Sequence, residues 1–245
     1  MCIYCMTPLP DNELTKEHII PLALNGTLTF RNAVCETCRD YTNKAFENVS
    51  LQADFLIPRL LLELKRRQKG TKPFPPAAVV TANDEAIEEL ILELADYPPV
   101  ASFYTFDPAG ALVEIDRGEG LEFIRLVFVK FPSPNYPSGL KQVEVTHKGV
   151  WSAYALSLAK MAYCYAVAEK GIGSFDGQGI RDLLLGKRTD ILNFVGGPLD
   201  NDPVAKGHLH RLRMNTRGDS VSVTINLFAS YSAVRNEVFV GKAIR

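Results

Sequence analysis

Residues 15–38 read TKEHIIPLALNGTLTFRNAVCETC, and the chain opens MCIYC. Two Cys-x2-Cys pairs therefore bracket one stretch, Cys2 and Cys5 before it and Cys35 and Cys38 at its end. Each pair makes a turn that points two thiolates at one spot, and two such turns complete the closed tetrahedral set of a structural Zn2+ site. Residues 6–34 separate the pairs, a longer interval than a simple zinc ribbon uses, so something further is folded between them. Ile19 and Ile20 have strand character, Asn25-Gly26 is a turn signal, and TLTFRNAV (27–34) reads as a second strand or loop. After Cys38, RDYTNKAFENVSL (39–51) carries good helix formers. The pattern is strand, turn, strand, helix, pinned at both ends by zinc. A segment this small cannot hold a core by itself, and metal binding supplies the missing stability.

The whole chain sets the background for that module. It has 245 residues, 47% hydrophobic and 22% charged, which suits a globular protein with a sizeable core. Net charge is −1, which excludes a polycation that coats nucleic acid without discrimination. No stretch approaches the roughly 18 apolar residues of a membrane span. The start lacks a basic segment followed by an apolar run, so we expect no leader and no membrane, and a reducing cytoplasmic setting in which paired cysteines hold metal. The fifth cysteine, Cys164, lies in the apolar WSAYALSLAKMAYCYAVAEKG (151–171) and is expected to be a small buried residue.

Beyond the cysteines the sequence predicts an α+β fold in two parts: a zinc-stapled module at 1–72 and an α+β domain at 73–245 whose role would be target selection or regulation. FLIPRLLLELKRRQKG (55–70) reads as an amphipathic helix with a basic end. PFPPAAVVTAND (73–84) reads as a linker, and residues 84–96 as a helix with Ile87, Leu90, Ile91 and Leu94 on one side. ASFYTF, ALVEID, LEFIRLVFVKF and KQVEVTH read as strands; residues 149–171 as a long buried helix ended by Gly171; residues 179–194 as one or two short helices; and three closing strands follow, with Val221, Val223, Ile225 and Leu227 on one face. GIGSFDGQG (171–179) follows no strand and lacks a phosphate-loop lysine, so it is a helix-ending loop. Charge is uneven. Residues 84–119 carry ten acids against Arg117, whereas residues 65–72 carry five bases and no acid. A second basic set is His208, His210, Arg211, Arg213 and Arg217. Both basic sets could face phosphates. His208 and His210 share one strand face, where we expect a basic surface or a hydrogen-bonded sheet.

In order and spacing, Cys-x2-Cys, Glu-His-Ile-Ile-Pro at 17–21, Asn32 before the second Cys-x2-Cys, and a following helix with a polar ligand resemble an HNH endonuclease of the ββα-metal type. The likeness covers about the first 50 residues. It implies a metal-dependent endonuclease that hydrolyses phosphodiester bonds in DNA, double-stranded DNA above all, with a homodimer as one way to cut both strands. It assigns His18 as the base that takes a proton from water, a task its near-neutral intrinsic pKa suits. It gives Asn32 the role of orienting the histidine-bearing loop. Glu17 and Asn43, with Asp40 as the second choice on the helix, would hold a catalytic Mg2+ or Mn2+. The sequence departs from the family at two points: Glu17 stands where Asp is commoner, and Arg39 stands directly after the last cysteine, where the family often has His or Asn. An arginine cannot ligate a cation but can meet a phosphate, so Arg39, Lys65, Arg66, Arg67 and Lys69 are candidate nucleic-acid contacts. Arg39 also favours the competing expectation of a non-catalytic zinc-stapled module that binds nucleic acid or a protein.

Overall fold

The structure, a computed structural model, describes residues 1–64, 77–80, 87–90, 97–118, 120–131, 143–145, 149–200, 207–231 and 234–244. Its first part is a β-hairpin followed by a helix. Strand β1 (Leu14–His18) pairs antiparallel with β2 (Thr29–Cys35), with Glu17 opposite Phe30 and His18 opposite Thr29. A bulge interrupts the ladder between Thr15 and Glu17. β1 takes up the polar residues and stops at His18. Ile19 and Ile20 do not extend it: they turn into the core, both nearly fully buried. The chain then tightens through a 3-10 turn at Leu22–Leu24, closed by Asn25 in the left-handed region (φ 63°) and by Gly26. A Cβ on Gly26 would lie 2.0 Å from the Ile20 carbonyl oxygen, so only glycine fits there.

The helix after β2 runs as α1 (Glu36–Thr42), one π turn (Asn43–Glu47) and α2 (Asn48–Gln52), which meets the helix expected after Cys38. Helix α3 (Leu56–Leu61) is shorter than the sequence suggested. Glu63 takes φ 50°, and the Leu64 amide donates back to the Arg59 carbonyl at 2.9 Å, a helix-ending turn with a left-handed residue. The basic end, Lys65 to Lys72, and the proposed boundary at residue 72 lie outside the described residues.

Three further expectations change. The supposed linker contains β3 (Ala77–Val80), and the described part of the supposed helix at 84–96 is β4 (Ile87–Leu90), paired antiparallel with β3. The i, i+3 spacing of Ile87 and Leu90 fits a helix face, but a run this short does not fix the period, and tertiary pairing decides. β3 also pairs with β7 (Val143–Val145). ALVEID, read as a strand, is instead a single turn of helix, α4 (Gly110–Val113), between β5 (Val100–Phe106) and β6 (Ile124–Lys130). It doubles back because Glu114 adopts φ 58° and the Ile115 amide donates to the Gly110 carbonyl.

The core is organised by α5 (Trp151–Lys170), ended by Gly171 at φ 86°. After it come β8 (Phe175–Asp176), α6 (Gln178–Leu184), α7 (Ile191–Phe194), β9 (Val195–Gly196), β10 (His210–Arg217), β11 (Ser220–Leu227) and β12 (Arg235–Ala243). The sheet order is β10-β11-β12-β8, with β9 also on β12. Val221, Val223, Ile225 and Leu227 are all buried, the alternation seen in the sequence. They form one continuous core with α5 and with Ile3, Tyr4, Phe46 and Phe55 of the N-terminal segment. The fold is α+β. Among the described residues no helix is long and apolar enough to cross a membrane.

Candidate metal centre and active-site edge

The four cysteines converge. The sulfurs of Cys2, Cys5, Cys35 and Cys38 all lie within 4.8 Å of one another, and none is in a disulfide. Around Zn2+ at about 2.3 Å, four thiolates sit roughly 3.8 Å apart, and Cys5 and Cys35 are already 3.9 Å apart. Backbone geometry makes the first turn: Met6 takes φ 59°, its amide donates to the Cys2 carbonyl, and the Cys2 amide donates to Thr7. The second pair uses the helix. Cys35 is the N-cap of α1 and Cys38 lies in its first turn, where the helix dipole favours thiolate. Burial raises the thiol pKa of Cys2 and of Cys38. At Cys5 burial also pushes upward, but hydrogen bonds from the Thr7 side chain and backbone outweigh it and bring the thiol to about 7. The donor set fits a structural Zn2+ ion.

Beside this centre β1 ends in Glu17 and His18. Glu17 is only 6% exposed, and its Oε1 lies 2.5 Å from Lys160 Nζ of α5. The same ammonium pairs with Glu47 at the end of the π turn and donates to the His18 carbonyl at 3.4 Å. Burial raises the Glu17 pKa against the opposing pull of Lys160. His18 is half-buried at the strand end. Neither Lys160 nor Glu47 entered the expected site. The sequence signal was present for Lys160, the single charged residue between Trp151 and Ala168.

The other expected residues fall elsewhere. Asn32 sits in β2 opposite the bulge, at φ 48°, and its amide donates to Asp11 Oδ2 at 3.3 Å, bracing the turn before β1. Asn43 is half-buried at the α-to-π junction. Asp40 accepts from the Arg39 guanidinium at 3.1 and 2.9 Å, and that guanidinium also meets Glu36 at 3.0 Å. Lys65, Arg66, Arg67 and Lys69 lie outside the described residues. Among the described residues the four cysteines are the set of three or more Cys, His, Asp or Glu side chains whose ligand atoms converge; Glu17, His18 and Asp40 form no second one. Of the donors expected for a catalytic divalent ion, Glu17 is paired with Lys160 and Asp40 with Arg39.

In the second basic set, Arg217 is tied to Asp200 at 2.5 Å and to buried Glu237. His210 is a hydrogen-bonded sheet residue: its Nδ1 accepts from the Phe228 amide, so Nε2 carries the proton and donates to the Leu24 carbonyl at 2.6 Å. Cys164 is buried as expected, with Sγ 3.1 Å from the Tyr4 hydroxyl and its thiol pushed up to about 12 by burial.

Residues 2–55 match the model of the HNH endonuclease family. No curated protein and no solved structure matches the chain. The matched segment holds the four cysteines, both hairpin strands, His18 and the helix through α2, and it points to nuclease activity.

Proposed function

We propose that the protein is an HNH endonuclease that hydrolyses phosphodiester bonds in DNA, with double-stranded DNA its substrate. The observation that supports this most is the placement of His18 at the end of β1, in a hairpin and helix bracketed by the cysteine cluster within the family-matched segment. His18 accepts the proton of the attacking water, the general-base role that an imidazole nitrogen can take. Zn2+ holds the hairpin to the helix. HNH nucleases typically use a divalent ion as well, and Mg2+ or Mn2+ would supply charge stabilisation at the scissile phosphate.

Supercoiled plasmid incubated with Mg2+, Mn2+ or EDTA tests the proposal, with zinc content verified at one per chain. Wild type yields nicked or linear product only with the divalent ion, and His18→Ala lowers the rate by about 10²-fold or more while keeping its zinc. Equal cleavage by the two proteins removes His18 from the mechanism.

A second reading, a binding module without catalysis, is favoured by Arg39, which is salt-bridged beside the last cysteine. Such a module keeps its DNA affinity in a chelator mild enough to spare zinc and gives no Mg2+-dependent product.

A further inference from the structure

Lys160, 2% exposed, is the single charged residue of helix α5 before Glu169. An ammonium carries three N–H donors and no acceptor. Three acceptors surround this one: Glu17 Oε1 at 2.5 Å, Glu47 Oε2, and the His18 carbonyl oxygen at 3.4 Å. The donors are all used, and they bind two consecutive residues of β1 to the π turn of the following helix.

The charge balance explains why a cation stands there. Two carboxylates at one shielded site repel each other, and burial disfavours the charged form of Glu17. An ion pair whose partner is removed leaves an uncompensated buried charge. Lys160 supplies that partner permanently because it is tethered to a helix in the core. A divalent ion at Glu17 would first have to displace an ammonium that is 2% exposed and paired with two carboxylates.

We propose that Lys160 is the resident cation of the Glu17–Glu47 pair and a positioning residue for His18, so that Glu17 acts through Lys160 and not as a metal ligand. Holding the carboxylate of residue 17 and the carbonyl of residue 18 at once fixes the backbone that carries the imidazole. The positioning of His18 rests on the reading of His18 as the base; the cation at the carboxylate pair does not.

Mn2+ binding, read by electron paramagnetic resonance on zinc-loaded protein, tests the cation separately from activity. Wild type and Glu17→Gln bind Mn2+ with the same stoichiometry. Lys160→Met, whose two carboxylates lose their cation, gains one Mn2+ per chain, and the triple variant Lys160→Met/Glu17→Gln/Glu47→Gln loses it again. The triple variant removes the whole buried charge set, which preserves folding better than removing one partner. In cleavage it loses about 10²-fold in kcat with KM for plasmid unchanged, the mark of lost orientation and not of lost structure. A wild-type Mn2+ site that disappears in Glu17→Gln overturns the proposal, as does a Lys160→Met protein that gains none. Should Lys160→Met fail to fold, the comparison of wild type with Glu17→Gln decides. Should wild type cut no DNA, the Mn2+ results still stand or fall alone.

Discussion

At the scale of single residues, His210 shows how a side chain far from the hairpin supports it. Its ring bridges the Phe228 amide and the Leu24 carbonyl, which requires the neutral form with the proton on Nε2. Burial lowers its pKa below the ordinary value. The sign follows: above about pH 6.5 both folded and unfolded chains carry neutral imidazole, and the contribution is complete. Below that value the unfolded chain binds a proton that the folded one refuses, so stability falls with acidification. His210→Gln keeps the donor to Leu24 and removes the titration. We expect it to lose about 1 kcal/mol near pH 7.5 and to show a smaller drop than wild type between pH 7.5 and 5.5, measured by urea midpoints. The alternation of His208 and His210 suggested a hydrogen-bonded sheet face, but nothing local named Leu24, 186 residues away, as the partner. Lys160 was more legible than it was read to be: a lone cation inside an apolar helix demands an anion, although the sequence does not say which. Glu47 gave no such sign among the polar residues around it.

At the scale of elements, the hairpin and the helix behind it were legible because their signals are covalent and local: cysteine spacing, Asn25-Gly26 and the helix formers after Cys38. The limits of β1 were not. Hydrophobicity drew the strand towards Ile19 and Ile20, but the ladder needs only backbone, and the apolar pair serves the core better beyond it. Gly26 makes that bend possible. Gly26→Ala would set a methyl against the Ile20 carbonyl and push apart the segment that follows His18. We expect a destabilisation of about 2–4 kcal/mol, read as a lowered melting temperature, with zinc retained because no cysteine moves. The strand β4 at residues 87–90, inside the helix expected at 84–96, and the helical turn in the expected strand ALVEID share one cause: runs of a few residues carry either period, and their partners in the fold choose.

At the scale of the whole molecule, α5 joins what the sequence divides. Its Ser157 meets Ser50 at 2.7 Å, Lys160 holds β1 and the π turn, Tyr163 donates to the Ile3 carbonyl at 2.7 Å, and Cys164 meets Tyr4. Asp54 in turn accepts from the Val150 amide at the start of α5. An excised fragment of residues 1–64 would carry all four cysteines and the whole family-matched segment, yet would expose Tyr4, Phe46 and Phe55, buried in the intact chain. We expect the zinc-loaded fragment to bind its metal but to lack a fixed core, with amide exchange in β1 at least about 10²-fold faster than in the full chain. Equal protection in the two would show that residues 1–64 fold alone.

The clamp on β1 also sets an order of events during synthesis. Lys160 follows His18 by 142 residues. At elongation rates of about 5–20 residues per second, the four clustered cysteines, His18 and the first helix leave the ribosome on the order of ten seconds before the ammonium that secures them. A nascent chain therefore displays the family-matched segment well before its strand end is locked. A cell making this protein would hold the hairpin unclamped until helix α5 has been made.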